Sequence, residues 1–328
     1  MKYYLKKCGS QELGSVDANG KTQRGRYLLT SKHEEILSMF PPLSIAQKND
    51  SALLPIIPLY TGQKIYCNYV YHNDKYHGST ADHPRDEYRI YLNRALENNQ
   101  LYFTANDIMV MRTEEIIDDE GESQTIYLMD LVKDRTSALY QELNQIINNF
   151  KSKGGYGLYE GTLDFFETQV EQRFNKNKKV SVIIDNTVTN RITGTASIAD
   201  LFNATTFRDF VMVGYDNLCA ITGTVIRYES YMNLEAAHIK PKSHGGLFLP
   251  NNGIALNRDL HWAFDKGFFT LTDNLEVKVH PRTTSDYLKS FDGKQIRVPA
   301  NPFFVPDREN IRYHRETVYG LFLTTGRL

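Results

Sequence analysis

The stretch L-E-A-A-H-I-K-P at residues 234–241 is short and apolar, and it carries His238 shortly before a proline. Proline has no backbone N–H to donate to a strand ladder, so this pattern predicts a strand that ends near His238. The run P-N-N-G-I-A-L at residues 250–256 predicts a turn into a second short strand, with Asn252 directly before the turn glycine. Two short strands joined by a loop are therefore expected.

A short helix is predicted next, in N-R-D-L-H-W-A-F-D-K-G at residues 257–267, where Asn257 or Asp259 can cap its first turn. His261 and Asp265 are four residues apart, so both side chains lie on one helix face, about one turn from each other. An imidazole nitrogen and a carboxylate oxygen are both metal ligands, and two protein donors leave other coordination positions open. The sequence predicts a β-β-α unit with two metal ligands on its helix.

Such a set suits phosphodiester hydrolysis, which needs an activated water and a cation that stabilises the charge developing on phosphate. His238 offers a base that is mostly neutral near pH 7, because an unperturbed imidazole has a pKa of about 6.5. His261 and Asp265 would hold the cation, and Asn252 would orient the loop behind His238. These residues predict a catalytic rather than a structural metal site.

In residue type, order and context, this unit resembles the HNH nuclease family and its ββα-metal finger. The resemblance implies that His238 is the general base, Asn252 the structural asparagine and His261 a metal ligand, with Asp265 as a second ligand on the helix. It also implies one divalent metal ion per active site, Mg²⁺ or Mn²⁺. No small-molecule cofactor is expected.

One position departs from the commoner form of the family. The residue before the base is usually an aspartate, glutamate or histidine that binds the metal, whereas this chain has Ala237. Glu235 is a possible replacement, although alternation along a strand predicts that it faces away from His238. The third metal ligand stays open.

Segments on both sides of the finger resemble predicted restriction endonucleases of this family, so that the resemblance spans residues 205–318. The segments are F-R-D-F at 207–210, C-A-I-T-G at 219–223 and P-D-R-E-N-I-R-Y-H-R-E at 306–316. Candidate DNA contacts are Lys240, Arg258, Arg312 and Arg315. Arg312 and Arg315 are about one helical turn apart and can approach phosphate together with His314, although a solvated helix face is the alternative.

The rest of the chain predicts an α+β fold with two domains and a connection. Residues 1–150 form a β-rich DNA-recognition domain, 151–200 a partly helical connecting segment and 201–328 the HNH nuclease domain. Residues 1–30 are polar and glycine-spaced, and the predicted strands are short aromatic or branched runs at 53–57, 64–71, 86–92, 108–112 and 125–131. Helices are predicted at 137–150 and 163–174. The pattern at 87–110 resembles, more weakly, the DNA-binding pseudobarrel of some restriction enzymes.

Composition excludes several classes of protein. The 328 residues include 38 Lys and Arg against 39 Asp and Glu, so the net charge of -1 argues against a surface uniformly basic toward polyanions. The cysteines, Cys8, Cys67 and Cys219, are too few and too scattered for a disulfide framework or a four-cysteine zinc site. No apolar run reaches the length of a signal sequence core or a membrane span. A cytoplasmic protein without structural zinc is expected.

The sequence thus predicts a metal-dependent endonuclease that cuts specific sites in double-stranded DNA, as type II restriction endonucleases do. One such site cuts one strand, so a homodimer is expected. A modification-dependent restriction endonuclease that reads methylated or hydroxymethylated cytosine is an alternative. A non-catalytic DNA-binding protein with a decayed finger is another, for which Ala237 is the argument. A nuclease without sequence preference is disfavoured, because nonspecific binding depends on phosphate neutralisation.

Overall fold

The computed structural model describes residues 1–14, 26–73, 86–97, 102–117, 121–150, 154–175, 180–192, 198–228 and 231–325. The chain divides into two compact units, Met1–Ser197 and Ile198–Leu328. Both units mix helices and strands, which confirms the predicted α+β class. Within the described part of the chain, no helix is long and apolar enough to cross a membrane.

The first unit is built around one large sheet. Its elements are β1 (Lys2–Lys7), α1 (Ser10–Leu13), β2 (Tyr27–Thr30), α2 (Glu34–Leu37), β3 (Ser51–Pro58), β4 (Lys64–His72), β5 (Glu87–Tyr91), β6 (Ile108–Ile117), β7 (Ser123–Val132), α3 (Ala138–Asn149), β8 (Tyr156–Glu160), α4 (Asp164–Gln169), β9 (Val182–Ile183) and α5 (Asn186–Ile192). Among the described residues the sheet has nine strands, in the order β2-β5-β4-β3-β7-β6-β1-β8, with β9 beside β4.

Both faces of this sheet are buried, as the alternation of side chains along β1 shows. Tyr4 packs on one face around Phe40, whereas Tyr3 and Leu5 pack on the other face beneath α3 and α4. The Tyr4 hydroxyl reaches the carbonyl oxygen of Leu29 in β2 at 3.4 Å. Strands near the two ends of the sheet therefore approach each other, and the sheet is nearly closed like a barrel.

Most of the predicted strands and helices of this unit are confirmed, and the differences have a physical cause. The five strand runs correspond to β3–β7, and the predicted helices at 137–150 and 163–174 to α3 and to α4 with the π-helical turn Val170–Asn175. The polar N-terminal segment forms β1, in the interior of the sheet. Residues 151–200 contribute β8, which pairs with β1, and β9, which pairs with β4. Residues 98–101, inside the pattern at 87–110, lie outside the described residues.

Strand β1 looks polar in sequence because it contains three lysines. One of them, Lys6, is fully buried. The Lys6 ammonium lies 2.7 Å from a Glu12 carboxylate oxygen and 2.8 Å from the carbonyl oxygen of Gly154. It also lies 4.4 Å from the centre of the Tyr156 ring. Burial raises the pKa of Glu12, while Lys6 acts against that shift. The fold therefore buries a charged pair at a strand position where an apolar side chain would be expected.

Replacing Glu12 with Gln should destabilise the first unit by about 3–5 kcal/mol, because Lys6 would keep a buried charge without a counterion. The measurement is urea unfolding followed by far-UV circular dichroism. Glu35→Gln is the matched control, since Glu35 pairs with Lys2 at an exposed site. This variant should lower the free energy of unfolding by at most about 1 kcal/mol. Equal stability losses in the two variants would contradict the prediction.

The second unit has its own hydrophobic core and small sheets. Its elements are α6 (Ala204–Gly214), β10 (Arg227–Tyr228), β11 (Tyr231–Met232), β12 (Leu234–His238), β13 (Gly253–Asn257), α7 (Arg258–Asp265), β14 (Phe269–Leu271), β15 (Val277–Val279), α8 (Asp286–Lys289) and α9 (Arg308–Tyr313). Within the described residues the strands form three two-stranded sheets, β10-β11, β12-β13 and β14-β15.

Candidate functional site

The predicted β-β-α unit is formed by β12, β13 and α7. The two strands are antiparallel, with His238 opposite Gly253 and Leu234 opposite Asn257. Helix α7 begins at Arg258, immediately after β13 ends. The last residue of β12 and the outer face of α7 are therefore held by one short, continuous unit.

His238 lies against helix α6. Its ring stacks on Phe207, with ring centroids 4.3 Å apart, and packs edge-to-face with Phe248, with ring centroids 5.3 Å apart. The approach of α6 is close because Gly253 lacks a side chain: a Cβ atom there would lie 2.3 Å from Cγ2 of Val211. Packing thus fixes the plane of the His238 ring.

The packing also sets the charge of His238. Burial lowers its pKa to about 4, and the neighbouring His261 and Lys242 lower it as well. The Nε2 atom is buried and makes no hydrogen bond within the described residues. At neutral pH the imidazole is therefore uncharged, with one ring nitrogen able to accept a proton.

Asn252 fastens the loop that follows His238. Its side-chain oxygen accepts a hydrogen bond from the Lys240 N–H at 2.8 Å, and its amide donates to the carbonyl oxygens of Lys240 at 3.2 Å and Leu247 at 3.0 Å. The side chain is fully buried. These contacts hold the loop that follows His238 in one shape.

His261 and Asp265 face the same side of α7, as their spacing predicts. His261 Nε2 lies 3.4 Å from a carboxylate oxygen of Asp265. Burial raises the pKa of the Asp265 carboxyl, and His261 opposes that shift. On the other side of the ring, Nδ1 of His261 lies 2.8 Å from a Glu235 carboxylate oxygen. The imidazole is held between two carboxylates.

Glu235 therefore joins the site through His261, although strand alternation gave only weak support for it. Leu234 and Ala237, three residues apart, are the buried residues of β12, so the local twist departs from a strict two-residue repeat. Ala237 packs in the hydrophobic core of the unit. Most family members have a metal ligand at this position, whereas here the side chain packs against apolar residues.

The donors present suit an open metal site with two protein ligands. Among the described residues, no group of three or more His, Cys, Asp or Glu side chains is arranged to hold a metal ion. His261 Nε2 and the Asp265 carboxylate are the two atoms that can bind one ion together. If Glu235 accepts the Nδ1 proton, Nε2 keeps its lone pair for the metal.

The four candidate DNA contacts have different surroundings. The Lys240 ammonium lies over the Tyr313 ring, and Arg258 is mostly exposed with its guanidinium 3.0 Å from Glu235. The remaining two are engaged within the fold: Arg312 pairs with Glu309, and Arg315 binds Asp273 at 2.8 Å and the Leu271 carbonyl oxygen at 3.1 Å.

His314 is a core residue and does not reach a phosphate-binding surface. It is 1% exposed and stacks on Phe264, with ring centroids 3.7 Å apart. Its two nitrogens meet the Thr270 hydroxyl at 2.9 Å and the Phe264 carbonyl oxygen at 3.1 Å. Helical spacing placed it near two arginines but could not reveal that its side chain is buried.

Residues 219–272 match the model of a family described as HNH endonuclease. This segment is therefore similar to HNH endonuclease domains. It contains β12, β13 and α7, and thus His238, Asn252 and the His261–Asp265 pair. Members of the HNH family generally use a divalent metal ion.

Two solved structures show a more distant likeness. A modification-dependent restriction endonuclease, TagI, is 17% identical, with 74% of this chain and 58% of that chain covered and a TM-score of 0.29. The B3 domain of the UbaLAI restriction endonuclease, solved with cognate DNA, is 16% identical, with 48% and 85% covered and a TM-score of 0.29. The chain thus spans little more than half the length of TagI. No curated protein matches the chain significantly.

Replacing Glu235 with Ala should weaken the binding of Mn²⁺ by about 10–100-fold, because His261 would lose the carboxylate that orients its ring. Isothermal titration calorimetry measures this directly. Glu316→Ala removes an exposed glutamate from the same unit and should leave the affinity unchanged. Unchanged Mn²⁺ affinity in Glu235→Ala would show that Glu235 does not position His261.

Acid should destabilise the second unit partly through His314. Burial lowers the pKa of His314 to about 4 in the folded protein, from about 6.5 when unfolded, so the unfolded state binds the proton more tightly. The resulting stability is present above about pH 6.5 and is lost as pH falls toward 4, with a slope of about 1.4 kcal/mol per pH unit.

His314→Gln should remove that part of the pH dependence. Urea unfolding between pH 4 and 7, followed by fluorescence of Trp262, the single tryptophan of the chain, reports on the second unit. His238 has a similarly lowered pKa, so the variant should keep part of the slope. The same slope in both proteins would contradict the assignment.

Proposed function

We propose that this chain is a metal-dependent DNA endonuclease that hydrolyses phosphodiester bonds at specific double-stranded sites, as type II restriction endonucleases do. The observation that carries the proposal is the placement of a half-buried, neutral His238 beside the His261–Asp265 pair, within a segment that matches the HNH endonuclease family.

In this proposal His238 acts as the general base. It is uncharged at neutral pH, its ring is fixed by Phe207 and Phe248, and it takes a proton from the attacking water. Glu235 holds His261 in the tautomer that leaves Nε2 free to bind metal with Asp265. A divalent ion, Mg²⁺ or Mn²⁺, supplies charge stabilisation for the transition state when bound.

The decayed-finger alternative depends on Ala237, and the packing around this residue weakens it. Ala237 is fully buried among apolar side chains, so a carboxylate there would be enclosed in the core. Glu235, two residues earlier, brings a carboxylate to His261 instead. The loss of a ligand directly before the base is therefore accompanied by a different way to orient the helix histidine.

Residues 1–150 are proposed to select the DNA site, with the β-rich sheet as the recognition platform. One active site cuts one strand, so a double-strand break requires two active sites, and we propose a homodimer that acts on a palindromic or paired target. In supercoiled plasmid, such a dimer converts circles to linear DNA without accumulating nicked circles.

His238→Ala should lower the cleavage rate by at least about 100-fold, because proton abstraction from water would lose its base. The assay uses plasmid DNA of known sequence with Mg²⁺ or Mn²⁺, and gel analysis of the products. His33→Ala is the control, since His33 lies on the exposed surface of the first unit and should leave cleavage unchanged. Full activity of His238→Ala would refute the mechanism.

The same assay on unmodified and cytosine-modified plasmid tests the proposed specificity. Discrete fragments from unmodified DNA support a type II enzyme. Cleavage confined to modified DNA would replace that proposal with recognition of a modified base. Absence of cleavage from both substrates, with DNA binding retained, would favour a binding protein.

A further inference from the structure

The loop that leaves His238 carries two lysines and a histidine and has a tightly fixed shape. It runs K-P-K-S-H-G-G-L-F over residues 240–248. Asn252 holds both ends through its bonds to Lys240 and Leu247. The chain turns so closely that a Cβ atom on Gly246 would lie 1.9 Å from the Lys240 carbonyl oxygen. The three side chains are therefore presented from a rigid support.

Aromatic rings hold these groups, and one of the rings also contacts the proposed base. The Lys240 ammonium lies 4.9 Å from the centre of the Tyr313 ring, and the His244 ring lies 5.8 Å from the same ring. The Lys242 ammonium lies 4.6 Å above Phe248, the residue whose ring meets His238. A single phenyl ring thus separates the charge of Lys242 from the proposed general base.

Among the described residues, these groups also have no acidic partners. Within the part of the chain that the structure describes, no salt bridge involves Lys240, Lys242 or His244, and Lys242 and His244 are exposed. The two arginine candidates Arg258 and Arg312 differ, because each pairs with a glutamate. Lys240, Lys242 and His244 therefore remain available to an external anion, and Lys242 brings a positive charge close to His238.

We infer that Lys240, Lys242 and His244, arranged around Tyr313 and Phe248, bind the sugar-phosphate backbone of the DNA strand that is cut. We call this group the loop phosphate surface. The inference rests on the proposed function and adds to it the contacts that bring a phosphate to His238. Because phosphates carry no base information, this surface contributes affinity and register rather than sequence preference.

The test is the salt dependence of DNA binding by the full-length protein in EDTA, where divalent metal is removed. Fluorescence anisotropy with a labelled duplex gives the dissociation constant at several salt concentrations. Lys242→Gln should weaken binding about fivefold to tenfold near 0.1 M salt and reduce the slope of log K against log salt by about 0.9. Lys242→Arg should keep both values.

Lys294→Gln is the matched control. Lys294 also lies over an aromatic ring in the same unit, 5.6 Å from Phe291, so the substitution removes the same charge and the same kind of contact away from the loop. It should leave affinity and slope unchanged. Equal losses in Lys242→Gln and Lys294→Gln, or an unchanged slope in Lys242→Gln, would overturn the inference, provided that Trp262 fluorescence shows a folded second unit in both.

The outcome is separable from that of the proposed function. A reduced slope in Lys242→Gln supports the loop phosphate surface even if the wild-type protein cleaves no DNA, in which case only the nuclease proposal fails. Normal cleavage together with an unchanged slope refutes the surface and leaves the nuclease proposal intact. Absence of DNA binding by the wild-type protein refutes the surface.

Discussion

The closeness of helix α6 to the β12–β13 hairpin is the constraint on which the site depends. Gly253 allows the contact, and Phe207 and Val211 fill the space that any side chain at residue 253 would occupy. The same contact stacks Phe207 on one face of the His238 ring and shields part of the ring from water. One missing side chain thus controls both the orientation of the proposed base and its protonation state.

The nuclease unit could be predicted from sequence in its main elements because its motifs are local. Strand, turn and helix signals lie within 34 consecutive residues, 234–267, and the four-residue spacing of His261 and Asp265 fixes their shared face. The environment of His238 could not be predicted in the same way. Phe207 reaches it from helix α6 and Phe248 from the loop between β12 and β13. Contacts between such separate segments leave no periodic pattern in the sequence.

The errors arose where an ionisable side chain is buried. Strand β1 reads as polar because of its lysines, yet Lys6 is buried. The pairing with Glu12 that neutralises its charge inside the fold is revealed only by the tertiary structure. His314 was similarly placed near arginines by helical spacing, while its ring lies within the core. Prediction from hydrophobic patterning assumes that polar residues are exposed. It fails for a polar residue that is buried together with its hydrogen-bond or charge partner.

The two proposed metal ligands come from a single turn of one helix, and this has a consequence for ion choice. Ligands four residues apart on a rigid rod approach an ion from one side only and cannot enclose it. Such a site has no cavity whose radius could sort ions by size. Discrimination among divalent ions would then depend on the energy each needs to give up its hydration water and on the octahedral or looser geometry it prefers.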